Sequence, residues 1–244
     1  MLAVVVVAAV WTLPCILAWR PSVHYFPTNA WGVHLLAPGR TLNPQDAYTN
    51  LTVRSVCSCK LSCKDDDRCV AASTSGSGGR ELSCLLSNKG PTETTVSSGN
   101  ETNYFYWFDS LPATDFGVKE DGLLYLVGKV NVNFTDARIW CSKIPGYRLA
   151  IFKRSIQFSM AVQIGKASGK QLWLDLEVTR SSSLIWGDGT NFDDTPFSHA
   201  AKKLVNNGGR QLSAMRVRGA NLDDRYRQNL CHPLCQANPS GIIW

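Results

Sequence analysis

NFTDARIWCSKI, residues 133–144, is the stretch of sequence that decides the fold of this chain. Thr135 is a candidate N-cap, and Asp136 follows in the first turn, where a negative charge suits the helix dipole. Side chains of low polarity then recur at helical spacing, at Ala137, Trp140, Cys141 and Ile144. This period predicts a helix with one apolar stripe, and the stripe carries a cysteine.

The segment downstream continues the helical pattern and then changes period. A second helix is predicted after Ser155, where four residues keep the helical spacing: Phe158, Ala161, Val162 and Gly165. KQLWLDLEV (170–178) alternates as a strand does, and SLIWGDGT (183–190) predicts another strand, which ends in a glycine turn. Two helices followed by strands indicate an α+β domain.

Six motifs occur in the order in which a C-type lectin domain has them: FTDARIWC, YRLAIF, LWLDL, IWGDG, LSAMRV and HPLCQ. On these motifs, residues 123–237 resemble a C-type lectin-like domain. The resemblance implies a disulfide-stabilised α+β fold, in which two helices pack on antiparallel sheets beside a long loop region. It also implies a disulfide between Cys141 and Cys235. Closing a ring of that length would lower the conformational entropy of the unfolded state and stabilise the fold by on the order of 4 to 5 kcal/mol.

The first half of the chain differs, because five cysteines crowd into a short stretch: Cys57, Cys59, Cys63, Cys69 and Cys84. VCSCKLSCKDDDRCVAAS, with LSCLLS further on, resembles a small PAN/apple-like α+β module over residues 30–109. The resemblance implies the disulfides Cys59–Cys84 and Cys63–Cys69. A zinc site is the alternative for such a cluster, but disulfide formation would consume the thiolates that a metal needs.

The N-terminal run MLAVVVVAAVWTLPCILAWR has no charged side chain before Arg20, and it places Ala18 where a signal peptidase could cut. Residues 1–18 are therefore interpreted as a secretory signal peptide, the alternative being a membrane anchor. Secretion exposes cysteines to oxidising conditions, which favour disulfides. Three N-glycosylation sequons, at Asn50, Asn100 and Asn133, are consistent with secretion.

Length and composition divide the mature chain into two modules. A polar stretch rich in Ser, Thr and Gly, NKGPTETTVSSGNETN, separates the cysteine-rich half from the next cysteine. We predict five segments: a signal peptide at 1–18, a PAN/apple-like module at 19–112, a linker at 113–122, a C-type lectin-like domain at 123–237 and a tail at 238–244.

Cysteine parity singles out two residues, Cys57 and Cys231. The mature chain has five cysteines in the first module and three in the second, so pairing within modules cannot use them all. Cys231 is left over because the second bridge of the C-type lectin family falls on Leu212 and Arg227 here. A Cys57–Cys231 bridge that clamps the modules is our hypothesis, and a covalent dimer and two free thiols are the alternatives.

The adjacent carboxylates Asp223 and Asp224 are candidate calcium ligands. In sugar-binding C-type lectins, calcium is held by a Glu-Pro-Asn or Gln-Pro-Asp triplet, a further loop acid and an Asn-Asp pair, which also bind sugar hydroxyls. Residues 222–224, LDD, stand where these lectins have Trp-Asn-Asp. Pro196 is the candidate for the proline of the triplet, but neither of its neighbours is a carboxylate or an amide. A hard cation needs about six to eight oxygens, so Asp193 and Asp194 are candidate ligands of a rearranged calcium site. The alternative is that the pair faces water or neighbouring arginines.

From His199 to Cys235, seven Lys or Arg stand against two acids, a local balance of +5 in a chain whose net charge is +6. The seven are Lys202, Lys203, Arg210, Arg216, Arg218, Arg225 and Arg227. Such a concentration attracts sulfated or phosphorylated polymers through a field that salt screens. Strand alternation in RVR places Arg216 and Arg218 on one face, and a solvated strand face is the alternative.

The sequence favours a binding protein over an enzyme, because no nucleophile motif accompanies its four histidines. One hypothesis is a secreted carbohydrate-recognition protein with a degenerate calcium site and a preference for anionic glycans of cell or microbial surfaces. The other is a protein-binding or adhesive module pair with an extracellular protein partner. Neither involves nucleic acid, or membrane insertion after signal cleavage. The candidate ligand-binding residues are Asp223, Asp224, Arg216, Arg218, Arg225, Arg227, Lys202 and Lys203.

Overall fold

The fold is that of a computed structural model of the chain. It describes residues 21–27, 32–76, 81–179, 183–201, 205–206, 213–242 and 244. The interpreted signal peptide, 1–18, lies outside the described residues.

The first unit is one helix on a six-stranded antiparallel sheet, whose strands run in the order β1-β2-β6-β4-β5-β3. Its elements are β1 (His24–Phe26), β2 (His34–Leu42), β3 (Thr49–Val53), α1 (Val56–Lys64), β4 (Ala71–Ser75), β5 (Leu82–Ser87) and β6 (Val96–Trp107). Helix α1 begins where the Ser55 side chain accepts a hydrogen bond from the Ser58 backbone. This α+β unit corresponds to the cysteine-rich half of the sequence.

Two disulfides fix α1 on this sheet. Cys59 and Cys63 lie one turn apart on the buried face of α1. Cys59 is bonded to Cys84 on β5, and Cys63 to Cys69 in the loop that follows the helix. These are the two pairs that the PAN/apple-like resemblance implied.

The second unit has helices on a nine-stranded mixed sheet, with the main path β12-β14-β13-β10-β15-β8-β7. Its elements are β7 (Ala113–Val118), β8 (Leu124–Gly128), α2 (Phe134–Lys143), β9 (Tyr147–Leu149), α3 (Ile156–Ser168), β10 (Gln171–Val178), β11 (Leu184–Trp186), α4 (Pro196–Ala201), β12 (Val205–Asn206), β13 (Ser213–Arg218), β14 (Asn221–Tyr226) and β15 (His232–Ala237). Strand β15 pairs parallel with β10, and β12 pairs parallel with β14, whereas the expectation was of antiparallel sheets.

Helix α2 is the helix that residues 133–144 predicted, but it begins earlier than expected. Its N-cap is Asn133, whose side-chain oxygen accepts from the Asp136 backbone N–H over 2.9 Å, and the assignment of the cap to Thr135 is wrong. The amide of Asn133 also donates to the Asp136 carboxylate over 2.7 Å, so the cap contact is reciprocal. At the other end of the helix, Cys141 is bonded to Cys235 on β15, the pair that the C-type lectin resemblance implied.

Two predicted boundaries differ from the structure. Residues 113–118, assigned to a linker, form strand β7, because Ala113 is buried and the segment pairs with β8. The segment from 238, assigned to a tail, is also packed. The backbone N–H of Asn238 donates to Ser22 Oγ over 2.9 Å, and its carbonyl accepts from the Ser22 backbone over 2.9 Å.

The two units share one hydrophobic core. A single cluster of buried side chains includes Leu42 and Tyr104 of the first unit with Leu124, Phe134 and Tyr147 of the second. Burial of apolar surface therefore holds the sheets together, at roughly 25 cal/mol for each Å² removed from water.

No disulfide joins Cys57 to Cys231, so the clamp hypothesis is wrong. Cys57 is exposed on α1, whereas Cys231 is buried in the second unit, where its backbone pairs with Val132. Local packing holds each thiol in its own unit. Burial raises the pKa of Cys231 to about 11, although the nearby Arg216 acts in the opposite direction.

None of the helices among the described residues is both long and apolar enough to cross a membrane.

Candidate functional site

The candidate site lies on the hairpin of β13 and β14. Its turn passes through Gly219, whose φ of +59° is a left-handed value that glycine adopts without strain. The register sets Arg216 opposite Asp223 and Arg218 opposite Asn221. Since side chains alternate along a strand, Arg216, Arg218, Asp223 and Arg225 project from the same face of the hairpin.

Arg216 and Asp223 form a two-point ion pair. The guanidinium donates from Nε to Asp223 Oδ1 over 2.7 Å and from Nη2 to Oδ2 over 3.0 Å. Its Nη1 donates to the side-chain oxygen of Gln171 on β10. Arg216 is 5% exposed, so it is a buried structural cation and not a surface ligand for an anion. The strand face that Arg216 shares with Arg218 is covered at Arg216, whereas Arg218 is exposed.

The carboxylates do not fit a calcium site. Asp223 Oδ2 lies 3.2 Å from the guanidinium of Arg225 in addition to its contacts with Arg216, so cations already surround this carboxylate. Asp224 is buried and points to the other side of the strand. Asp193 and Asp194 lie in a short 3-10 turn, and within the described ranges no three acidic, histidine or cysteine side chains are grouped as metal ligands. A calcium ion needs more oxygens than this arrangement brings together.

A second charged group lies on the adjacent strand β10. Arg138 of α2 donates to Asp175 over 2.5 Å and reaches Glu177 at 3.4 Å. Glu177 also pairs with Arg227 at 2.6 Å. Burial raises the pKa of Asp175, and the neighbouring Arg138 partly offsets that shift. The sequence analysis did not select these residues, although alternation along β10 predicts that Asp175 and Glu177 share a face.

Gly187, in the IWGDG motif, is required by this charged group. A Cβ at position 187 would lie 2.0 Å from an oxygen of the Asp175 carboxylate, closer than real atoms approach. The Gly187 backbone N–H also donates to the Asp175 carbonyl over 2.8 Å. The motif therefore leaves room for a buried carboxylate beside α2.

A surplus of positive charge remains on the hairpin after these pairs are counted. Arg225 shares the single carboxylate of Asp223 with Arg216, and Arg227 shares Glu177 with Arg138. Arg218 is exposed, and it forms no ion pair with any acid in the described part of the chain. The predicted ligand residues Lys202 and Lys203, and the counted Arg210, lie outside the described residues.

Comparisons with protein-family models and with curated proteins find no match. Among solved structures, the chain is similar to a C-type lectin from the tunicate Polyandrocarpa misakiensis, with 15% identity and a TM-score of 0.38 over 47% of this chain and 96% of that one. It is also similar to the carbohydrate-recognition domain of the mouse scavenger receptor C-type lectin, with 12% identity and a TM-score of 0.42 over 54% and 98%. A natural killer cell receptor gives 10% identity and a TM-score of 0.41 over 54% and 97%.

The TM-scores of these likenesses are all below 0.5, so the expected C-type lectin-like α+β fold rests on the chain's own features. The chain's own features of that fold are the helix–strand disulfide Cys141–Cys235 and the order of α2, α3 and the following strands. What the site binds has to be argued from its charges and exposed surface.

Proposed function

We propose that this chain is a secreted, non-enzymatic carbohydrate-recognition protein that binds anionic glycans of cell or microbial surfaces through its lectin-like unit without calcium. In this proposal, residues 1–18 are a signal peptide and the cysteine-rich first unit is a PAN/apple-like module. Because fold does not determine ligand, the proposal rests on the charged hairpin of β13 and β14.

The observation that carries the proposal is the ion pair between Arg216 and Asp223. In this ion pair, Arg216 binds Asp223, the carboxylate that a calcium site would use. Arg225 contacts the same carboxylate, so two arginines share one negative charge. With the exposed Arg218 on the same face, this region attracts anions. Guanidinium groups suit sulfate and carboxylate groups because they donate two parallel hydrogen bonds.

An exposed aromatic side chain lies at the end of the same hairpin, on the face opposite to Arg225. Tyr226 follows Arg225 on β14 and is 53% exposed. A ring of this kind offers both an apolar face and a hydroxyl group, which suits the mixed surface of a sugar. Because Tyr226 projects from the other face, the proposal rests on the arginines and not on this ring.

A protein partner is the second candidate function, and one observation favours it. Leu230 is 59% exposed in the loop between β14 and β15, beyond the exposed Tyr226. Tyrosine is enriched among the few residues that supply most of the affinity in protein interfaces, and an apolar neighbour such as Leu230 helps to exclude water from such a contact. The two functions differ in salt dependence, since binding that rests on cations weakens as ionic strength rises.

Binding of the purified full-length chain to a panel of sulfated, carboxylated and neutral polysaccharides tests the proposal. Each measurement is made with calcium and with a chelator, at two salt concentrations. We expect retention of anionic glycans that survives chelation, fades with salt and falls about tenfold or more in an Arg218→Gln, Arg225→Gln double variant. Arg54→Gln, on the exposed surface of the first unit, is the matched control. Loss of binding on chelation alone, or retention that is equal for neutral glycans, would contradict the proposal.

A further inference from the structure

A cleft of about 520 Å³ lies between the two units, away from the β13–β14 hairpin. The residues that line it include Arg40, Thr95, Val96, Ser142, Lys143 and Pro145. Arg40 belongs to β2 of the first unit, and Lys143 is the last residue of α2 in the second. Small-molecule sites have volumes of this order and occur preferentially at the boundaries between structural units.

The walls of the cleft are fixed before any ligand arrives. Gly146, which also lines it, has a φ of +84°, and a Cβ there would lie 2.4 Å from the carbonyl oxygen of Ser22. Ser22 is in turn hydrogen-bonded to Asn238 through both backbone and side chain. Tyr147, another lining residue, belongs to the shared core of the two units. A ligand would therefore meet a preformed site, which lowers the cost of ordering it.

The cleft carries positive charge and no acid among its lining residues. The Arg40 guanidinium donates to Ser98 Oγ over 2.8 Å, and neither Arg40 nor Lys143 pairs with an acid in the described ranges. Asp46 is the acid that contacts this wall, since it accepts from the Thr95 backbone, but Lys89 pairs with it at 3.1 Å. One cation from each unit is thus available to a ligand.

The remaining lining groups are those that a sugar requires. The hydroxyls of Thr95 and Ser142 both donate and accept hydrogen bonds, and the end of α2 leaves backbone carbonyls that accept them. Val96 and Pro145 supply apolar contacts. Such a mixture matches a molecule that carries several hydroxyls together with an acidic group.

We infer that the cleft between the units is a binding site for a sulfated saccharide, with Arg40 and Lys143 holding its acidic groups from opposite walls. Ser142 also lines a neighbouring cavity of about 410 Å³, but that cavity contains the Asp175 carboxylate together with Arg138 and Arg148, so the inference is confined to the cleft itself. This site uses none of the residues of the proposed hairpin site and does not depend on it.

Calorimetric titration of the full chain with a sulfated disaccharide derived from heparin tests this inference. Its unsulfated counterpart and inorganic sulfate are the comparison ligands. We expect the sulfated disaccharide to bind, and Arg40→Gln and Lys143→Gln each to weaken it by about tenfold or more. Thr95→Trp fills the cleft without changing its charge and is expected to abolish binding. Arg54→Gln is the charge-matched control outside the cleft.

The outcomes separate this site from the hairpin. The titration is repeated in the Arg218→Gln, Arg225→Gln double variant, which removes the proposed hairpin site; disaccharide binding at the cleft is expected to persist in that variant and to be abolished by adding Thr95→Trp. The inference is overturned if the disaccharide does not bind, or if Arg40→Gln and Thr95→Trp leave its affinity unchanged in proteins that melt like the parent. It is also overturned if inorganic sulfate binds as tightly as the disaccharide, since the hydroxyl contacts would then contribute nothing.

Discussion

Replacing Asp223 by alanine distinguishes an ion pair from a metal site. The carboxylate accepts two hydrogen bonds from Arg216, at 2.7 and 3.0 Å, and a contact from Arg225 at 3.2 Å. Its removal leaves the Arg216 guanidinium, 6% exposed in its side chain, without an acid. We therefore expect Asp223→Ala to destabilise the folded protein strongly, with or without calcium.

The magnitude follows from the burial of the pair. Breaking a buried ion pair from one side typically costs about 3 to 5 kcal/mol, because the remaining charge is uncompensated. Gln171 still accepts from Arg216, and Asp223 is 17% exposed in its side chain, so the lower end of the range applies, at about 3 kcal/mol. For a chain of this size, each kcal/mol corresponds to roughly 2 to 4 °C in Tm.

Urea and thermal unfolding, each followed with calcium and with a chelator, measure the effect. Asp193→Ala is the control, because this acid is exposed in a turn, and its removal should change the free energy of unfolding by less than about 0.5 kcal/mol. A double variant, Arg216→Met with Asp223→Leu, should recover most of the loss, since replacing both charges leaves none buried and unpaired. An unchanged Tm in Asp223→Ala, or a parent protein that chelator destabilises, would refute this reasoning.

Three further predictions follow from the helix cap, the thiols and one buried histidine. Asn133→Ala should lower the free energy of unfolding by about 1 kcal/mol by removing the α2 cap, whereas Thr135→Ala, which destroys the same sequon but keeps the cap, should not. Both are measured on deglycosylated protein, where an equal loss in the two variants would contradict the assignment of the cap to Asn133. An alkylating reagent should modify the exposed Cys57 in the folded protein and Cys231 only after unfolding, and peptide mapping that recovers them bonded to each other would contradict the structure. Burial, and then the charge of Lys60, lowers the pKa of His34. On acidification below about pH 6.5 the unfolded state therefore binds a proton that the folded state does not, and the free energy of unfolding should fall. In unfolding curves measured across pH, His34→Asn should make the free energy of unfolding less dependent on pH.

Much of the fold was accessible from sequence because periodicity reports burial. The stripe of α2 is present, since Phe134, Ala137 and Cys141 are buried, and the strand predicted at 170–178 is β10, although its centre is buried on both faces from Leu172 to Leu176. The cap assignment failed because Asn133 and Thr135 are both good caps, and only the reciprocal contact with Asp136 selects the first.

The candidate site was less accessible, because it depends on which strands become neighbours. The sequence places Arg216 among seven cations, but its burial follows from the register of β13 with β14 and from Gln171 on β10. Arg138 and Glu177 meet across 39 positions of sequence, and no local pattern indicates that contact. A net charge counted along the sequence therefore overestimates the charge available to a ligand, because it includes side chains that form ion pairs in the folded protein.

The apolar cluster shared by the units also determines how the chain can be divided. Tyr104 and Tyr106 of β6 are fully buried in that cluster together with side chains of β8 and α2. A fragment that ended near residue 112 would present these rings to water, and exposed apolar surface of this kind promotes aggregation. Although the sequence suggests two modules in a row, the two units share this cluster, and we expect that separating them would expose apolar surface on each half.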